Sequence, residues 1–167
     1  MARGLVVGKV AHALPAISTP RFEPTDARNL QSAAVQVAFN DVSRSVTGAR
    51  RSDRITVGTL LGRANMPSFN RLTIEAIALE TWKAFHSTDG LNGRRNPTGQ
   101  AIFGSDIDVT RPTRASAAGE IRSSTRGTNI MVTHAAMIWN KSPALRLSTT
   151  AAEAKAAGKA LALGCPL

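Results

Sequence analysis

Apolar residues recur at helical spacing in the first half of this sequence, and many of them are small. Between residues 26 and 47 they follow the three- and four-residue steps of one helix face, which predicts a helix that Gly48 ends. Side chains as short as alanine let helices approach closely, so the composition favours closely packed helices. The residues that define this predicted apolar face are Leu30, Ala34, Val37, Ala38, Val42 and Val46.

Two further helices are predicted before residue 90. A short one follows the N-cap residue Thr56, and a long one runs from about Ser68 to His86, with Asp89-Gly90 after its end. The long helix is expected to bury a set of large apolar side chains in part or whole, namely Leu72, Ile74, Ile77, Leu79, Trp82 and Phe85.

Residues 91–130 show no sustained apolar face. Glycine, proline, serine, threonine and arginine dominate this stretch, which predicts a long irregular basic linker that is partly disordered. The linker separates a helical segment over residues 1–90 from a C-terminal helical pair over residues 131–167. The predicted fold class is therefore mainly α, a small helical bundle with a long irregular basic linker and a C-terminal helical corner.

The C-terminal corner has the sequence "THAAMIWNKSPALRLSTT". Trp139 is predicted to be a large buried anchor at the end of one helix, and Asn140 belongs to a residue type that tolerates the left-handed conformation of helix ends. Pro143 prevents the helix from continuing. Thr150 and Glu153 then form a capping box that opens a final helix running to about Leu163. The pattern predicts a structural corner in which Trp139 contacts no ligand.

Arginine supplies most of the formal net charge of +10, which indicates a polyanionic partner. No stretch approaches the roughly 20 apolar residues of a membrane span, so RNA or DNA is favoured over a membrane. Aromatic residues are not interleaved with the arginines, so contact with the phosphates of a duplex is favoured over base stacking. A solvated basic face is the alternative. The candidate nucleic-acid-binding residues are Arg44, Arg50, Arg51, Arg54, Arg94, Arg95, Arg111, Arg114, Arg122 and Arg126.

The sequence shows no recognisable catalytic, metal or cofactor site. Its single cysteine, Cys165, excludes an internal disulfide and a cysteine-rich zinc site, and fits a reducing compartment. The acidic pair Asp106 and Asp108 lies in the predicted linker and is interpreted as a solvated loop. The three histidines lack metal-ligand spacing, no G-x-S-x-G motif is present, and "GLVVGKV" lacks the spacing of a phosphate-binding loop. The histidines are His12, His86 and His134.

The order of these segments resembles the region downstream of the catalytic palm in reverse transcriptases of non-LTR retrotransposons. In that family a helical, thumb-like segment ends in a signature close to Ala-x-x-Trp-Asn-x-x-Pro, which is present here as Ala136, Trp139, Asn140 and Pro143. The resemblance covers the chain from about Ala33 onward. It implies a fragment that grips the template-primer duplex. The chain has no Asp-Asp pair and no tyrosine, so the aromatic-x-Asp-Asp turn of the family is missing, and we expect no catalysis by this chain alone.

Two alternatives stay open at the level of sequence. The chain is either such a fragment of an RNA-directed DNA polymerase or a small basic helical RNA-binding or structural protein of a ribonucleoprotein particle, and neither defines an oligomeric state. The N-terminal residues carry Arg3 and Lys9 and no acid before Glu23, a pattern typical of a mitochondrial transit peptide. The resemblance favours a chain leaving the palm instead. Both readings place the protein inside the cell, in the nucleus, the cytoplasm or the mitochondrion.

Overall fold

A computed structural model describes residues 13–15, 18–26, 30–87, 96–103, 119, 121 and 130–166. All regular secondary structure in these residues is helical, which confirms the predicted mainly α fold class. None of the helices in these ranges is long and apolar enough to span a membrane. In chain order the helices are α1 (Leu30–Thr47), α2 (Val57–Arg63), α3 (Phe69–His86), α4 (Pro97–Phe103), α5 (Ile130–Lys141), α6 (Pro143–Leu147) and α7 (Ala151–Leu163).

Local capping chemistry begins three of these helices where the sequence predicted. The hydroxyls of Thr56 and Ser68 accept the backbone N–H groups of the residues three positions on, at the starts of α2 and α3. At α7, Thr150 and Glu153 form the complete capping box. Each cap satisfies backbone donors that have no partner inside the helix. The predicted starts of α2, α3 and α7 are therefore confirmed.

Helix α1 ends as predicted but buries a different face. Gly48 follows it with a φ of +70°, a backbone conformation that suits glycine. Val37 and Val46, however, are 57% and 54% exposed, and Phe39 is buried instead beside Ser43. The aromatic ring removes more apolar surface from water than a valine does, so the helix turns that side inward. The predicted apolar face of α1 is therefore wrong. Of its other four residues, Ala34 and Ala38 are exposed and Val42 is half-buried. The side chain of Leu30 lies outside the described part of the chain.

Helix α3 is the centre of the structure. All six of its predicted apolar residues are at least partly buried, which confirms that prediction. Helix α7 packs against α3 through its buried small residues Ala154, Ala157, Gly158 and Ala162. A Cβ atom placed on Gly158 would lie 2.9 Å from the Cβ of Ala78, closer than real Cβ atoms approach. Small side chains therefore bring these two helices into close contact.

Two hydrophobic cores lie along α3. The larger core joins α3 with α4, α5, α6 and α7 and contains Trp139, Ile74, Ile77 and Leu145. The smaller core joins the first turns of α3 with α1, α2 and the segment around Leu14. Helices from the first and the last predicted segments thus share one core, while the three-part division of the chain stays a prediction.

Helix α4 lies inside the segment predicted as an irregular linker. Asn96 accepts the backbone N–H of Gly99 at 2.7 Å, and Pro97 supplies a favourable first residue. Ile102 is buried, and the ring of Phe103 packs against Trp139. A helix of seven residues is too short to show periodicity among its few apolar positions. For residues 97–103 the prediction of a loop is wrong.

Candidate functional site

The turn that follows α1 presents arginines from a fixed backbone. The N–H of Arg50 donates to the Asp53 carboxylate at 2.8 Å, and the carbonyl of Arg50 accepts from the Asp53 N–H at 3.1 Å. The same carbonyl also accepts a hydrogen bond from the guanidinium of Arg44 on α1. Because both backbone groups of Arg50 are held, the turn keeps a defined shape. Arg44 therefore supports the turn through one of its guanidinium N–H groups.

Three arginines of this turn, Arg50, Arg51 and Arg54, are exposed to solvent. The guanidinium of Arg51 contacts the Asp41 carboxylate at 2.8 Å, with the two side chains 80% and 44% exposed. A solvent-exposed ion pair of this kind contributes little to the free energy of folding. An anion such as phosphate can therefore replace Asp41 as the partner of Arg51 with little loss of stability. The turn therefore offers three guanidinium groups to a partner.

A shallow open hollow of about 440 Å³ lies beside the turn. Its walls include the Asp41 carboxylate and the last residues of α1, where backbone carbonyls carry the negative end of the helix dipole. Arg44 and Arg51 line the same hollow, so its walls carry charges of both signs. The hollow is lined by Asp41, Arg44, Ser45, Gly48, Ala49 and Arg51.

The structure brings together four of the predicted arginines, namely those of α1 and the turn. Sequence reasoning missed two acids. Asp53 holds the turn, and Asp41 competes for Arg51. The signal for Asp53 was present, since an aspartate within a short polar turn commonly accepts a nearby backbone N–H. The six arginines predicted in the linker lie outside the described residues and stay predictions: Arg94, Arg95, Arg111, Arg114, Arg122 and Arg126.

Trp139 is the buried anchor that the sequence predicted. It is 3% exposed, and its ring centroid lies 4.8 Å from that of Phe85 and 5.0 Å from that of Phe103. Its indole N–H donates to the carbonyl of Gly119 at 2.9 Å. Trp82, the second tryptophan, donates its indole N–H to the carbonyl of Ser148 at 3.0 Å. The two indole groups thus hold Gly119, which precedes the corner in the chain, and Ser148, which follows Pro143.

Asn140 has a role different from the predicted one. Asn140 lies within α5 and does not adopt the left-handed conformation. Among the described non-glycine residues, Asn65 is the one with a positive φ. The Asn140 side chain instead accepts the N–H of Ile121 at 2.8 Å and donates to the carbonyl of Ile121 at 2.7 Å. The amide side chain carries one acceptor and one donor group, so it can pair both backbone polar groups of Ile121. Ile121 is therefore fixed to the corner.

Pro143 both ends one helix and begins the next. Ser142 caps α6 by accepting the N–H of Leu145, and Pro143 is the first residue of that helix. Arg146 of α6 then donates to the carbonyls of Trp139 and Asn140 at 3.0 Å each, at the end of α5. A cation there also faces the negative end of the α5 dipole. Sequence reasoning missed Arg146, because its partners are backbone atoms.

The described residues contain no metal-binding cluster. No three histidine, cysteine, aspartate or glutamate side chains in these ranges are placed so that they could hold a metal ion. Burial raises the pKa of the Cys165 thiol, so that group is less reactive than an ordinary cysteine. His86 stacks on Trp82 with ring centroids 4.4 Å apart. His12, Asp106 and Asp108 lie outside the described part of the chain.

Comparison with protein families, with curated protein sequences and with solved structures finds no match to this chain. The resemblance carried by the Trp-Asn corner therefore rests on the sequence.

Proposed function

We propose that this chain is a C-terminal, thumb-like part of an RNA-directed DNA polymerase that contacts the backbone of the template-primer duplex and does not catalyse alone. One observation carries the proposal, namely the turn that presents Arg50, Arg51 and Arg54 to solvent from a backbone fixed by Asp53 and Arg44. Guanidinium groups bind phosphates in pairs of hydrogen bonds and carry no sequence information when they do so. The proposal places the chain inside the cell, in the nucleus, the cytoplasm or the mitochondrion.

The fixed shape of the turn supports a duplex as the partner. Arginines held on a rigid turn lose less freedom on binding than arginines on a mobile chain, so they suit a backbone of regular phosphate spacing. No aromatic residue lies between residues 49 and 56, so the turn offers no stacking surface to unpaired bases. Contact with the duplex backbone is therefore the better match to this chemistry.

The corner supports the same proposal through the sequence resemblance. Trp139, Asn140 and Pro143 act within the fold, where they fix the end of α5 and hold Gly119 and Ile121 beside it. Residues with this role are expected to set the positions of neighbouring segments and not to touch the nucleic acid. The thumb-like role is thus assigned to the arginine turn, with the corner as its structural support.

The proposal is tested by measuring duplex binding as a function of salt. Fluorescence anisotropy with a labelled duplex, between about 50 and 200 mM salt, should give log K falling by about 0.9 per phosphate contact for each unit of log[salt]. Replacing Arg50, Arg51 and Arg54 together by glutamine should flatten the slope by roughly two to three units. Two duplexes of unrelated sequence should bind equally well.

A matched control removes three charges elsewhere. Lys83, Lys155 and Lys159 are exposed and lie on α3 and α7, so their joint replacement by glutamine should leave the slope nearly unchanged. Equal losses in both variants would mean that net charge alone drives binding and would contradict the assigned site. Preference for single-stranded RNA over duplex would instead support the alternative, a ribonucleoprotein component.

A further inference from the structure

We propose that Ser52 is a phosphorylation site for a serine/threonine kinase that recognises arginine, and that a phosphate there switches off the arginine turn. The first half of this inference is independent of nucleic acid. The second half rests on the proposed function, because it requires that Arg50, Arg51 and Arg54 bind phosphates of a partner.

Ser52 is placed where a kinase can reach it. It lies in the turn between Arg50 and Asp53, is exposed, and its hydroxyl makes no hydrogen bond to the described residues. The bonds that shape this turn join residues within a short stretch of chain and one arginine of α1. The turn can therefore enter a cleft without loss of either hydrophobic core.

The residues before Ser52 supply the recognition chemistry. Arg50 and Arg51 are exposed and precede the hydroxyl by two positions and one position. A kinase with carboxylates beside its acceptor site can pair with guanidinium groups at these positions through charge-assisted hydrogen bonds. Arg54 adds a third positive charge on the other side of the hydroxyl.

Several of the other described hydroxyls that follow an arginine are used by the fold. Thr73, two residues after Arg71, is buried and donates to the Phe69 carbonyl. Thr149, three residues after Arg146, bonds to the Glu153 carboxylate. Thr56 accepts a backbone N–H as the N-cap of α2. Phosphorylation of these residues would require their hydrogen bonds or their burial to be lost, whereas Ser52 has neither.

The reaction is an ordinary phosphoryl transfer from a nucleoside triphosphate held by the kinase. The Ser52 hydroxyl oxygen forms a bond to the γ-phosphorus while the bond from that phosphorus to the leaving nucleoside diphosphate oxygen breaks. The hydroxyl proton passes to a base of the kinase, and no group is oxidised or reduced.

The charge change explains the switch. Three arginines and Asp53 leave the turn with two net positive charges. A phosphoserine carries about 1.5 to 2 negative charges near neutral pH, which cancels most of that excess. Its oxygens also accept hydrogen bonds from neighbouring guanidinium groups, so the arginines are occupied before a duplex arrives.

The first experiment treats the full chain with the catalytic subunit of an arginine-directed kinase and magnesium ATP, and locates phosphate by mass spectrometry. Ser52 should carry phosphate, and Ser52→Ala should remove the phosphate at this position and lower total incorporation. Ser45→Ala is the matched control and should have no effect, because Ser45 is exposed but already bonds to the Asp41 carbonyl. Phosphate on other residues with Ser52 unmodified would overturn the site.

The second experiment compares duplex binding by the phosphorylated and unmodified chain. Phosphorylation should weaken binding at least about ten-fold at low salt and flatten the salt slope as the triple arginine substitution does. If the arginine substitution weakens binding but phosphorylation does not, the switch is wrong and the proposed function stands. If the unmodified chain does not bind duplex at all, the proposed function and the switch both fall, while phosphate on Ser52 in the first experiment still establishes the site.

Discussion

Asn140 pairs with both backbone polar groups of Ile121, at 2.8 and 2.7 Å. The same arrangement occurs at the start of α3, where Asn70 accepts the N–H of Arg21 at 2.8 Å and donates to its carbonyl at 2.9 Å. In each case one helical amide replaces the hydrogen bonds that a neighbouring strand would supply. Arg21 and Ile121 are thus each fixed to a helix by a single side chain.

Replacing Asn140 by alanine should destabilise the protein by about 1–3 kcal/mol, because two backbone groups of Ile121 lose their partners. Urea denaturation followed by circular dichroism measures the change. Asn40 provides a control, since its side chain bonds to Gln36 on the same helix face, and Asn40→Ala should change stability by less than about 0.5 kcal/mol. Equal effects of the two substitutions would contradict the role of Asn140.

Replacing Trp139 by alanine should cost about 3–5 kcal/mol, the usual range for truncating a buried large aromatic side chain. The loss removes contacts with Phe85 and Phe103 and leaves the Gly119 carbonyl without its donor. A thermal melt measures it. Trp139→Phe keeps much of the packing and loses the hydrogen bond, so its melting temperature should lie between those of the unsubstituted protein and the Trp139→Ala variant. An unchanged melt for the alanine variant would show that the corner is exposed.

Replacing Gly158 by alanine should destabilise the protein by about 1–3 kcal/mol, because the new methyl group overlaps Ala78 and pushes α7 away from α3. Gly62 is the matched control in α2, where a Cβ atom would meet nothing within 4 Å. Gly62→Ala should stabilise by up to about 1 kcal/mol through helix propensity. Denaturant midpoints that shift in the same direction for both variants would disagree with the close approach of α3 and α7.

Two glutamates should give the stability opposite dependences on pH. Burial raises the pKa of Glu75 above its ordinary value, although Lys159, Lys155 and Arg71 oppose the rise. Between the unfolded and folded pKa values the folded state binds more protons, so the Glu75 contribution to stability falls as pH rises through that window. Hydrogen bonds from Thr149 and Thr150 lower the pKa of Glu153. The Glu153 carboxylate therefore stabilises the folded state at pH values above its pKa in the unfolded chain. This stabilisation is lost as the pH falls through the pKa of Glu153 in the folded state.

Urea midpoints measured across the acidic range separate these two effects. Glu75→Gln should reduce the loss of stability on raising the pH, and Glu153→Gln should reduce the loss on lowering it. In both variants an uncharged amide of similar size replaces the carboxylate, and glutamine is still a suitable residue for the capping box of α7. Identical pH profiles for the two variants would show that neither carboxylate titrates as described.

The purified chain should incorporate no nucleotide on a primed template with magnesium or manganese. The expectation follows from the missing aromatic-x-Asp-Asp turn in the sequence. A primer-extension assay on a denaturing gel is the measurement. Incorporation that is abolished by Asp106→Asn and Asp108→Asn would show that this acidic pair is catalytic and that its interpretation as a solvated loop is wrong.

The sequence predicted features that depend on neighbouring residues better than features that depend on distant ones. The caps at Thr56, Ser68 and Thr150 involve atoms within one helical turn, so their residue types are enough to identify them. The inward face of α1 was missed because spacing alone favoured the valines, while the larger Phe39 decides which side packs. Asn140 was misread because its partner is 19 residues away in the chain.

The candidate site shows the same limit. The arginine cluster after α1 was visible as a run of charges, but its shape depends on which polar groups pair. The Asp53 carboxylate and the Arg44 guanidinium fix the backbone of Arg50, and this pairing separates a supporting arginine from the exposed ones. Charge counting from sequence assigns all of them the same role.

Helix α3 lies in both hydrophobic cores, and this makes the described helices interdependent. A truncated chain that lacks α7 would expose the small-residue face of α3, and one that lacks α1 and α2 would expose Phe69 and Leu72. Neither half has a complete partner for α3 on its own. Hydrogen exchange of the α3 amides should therefore follow global unfolding, and the two halves cannot be exchanged between proteins as separate modules.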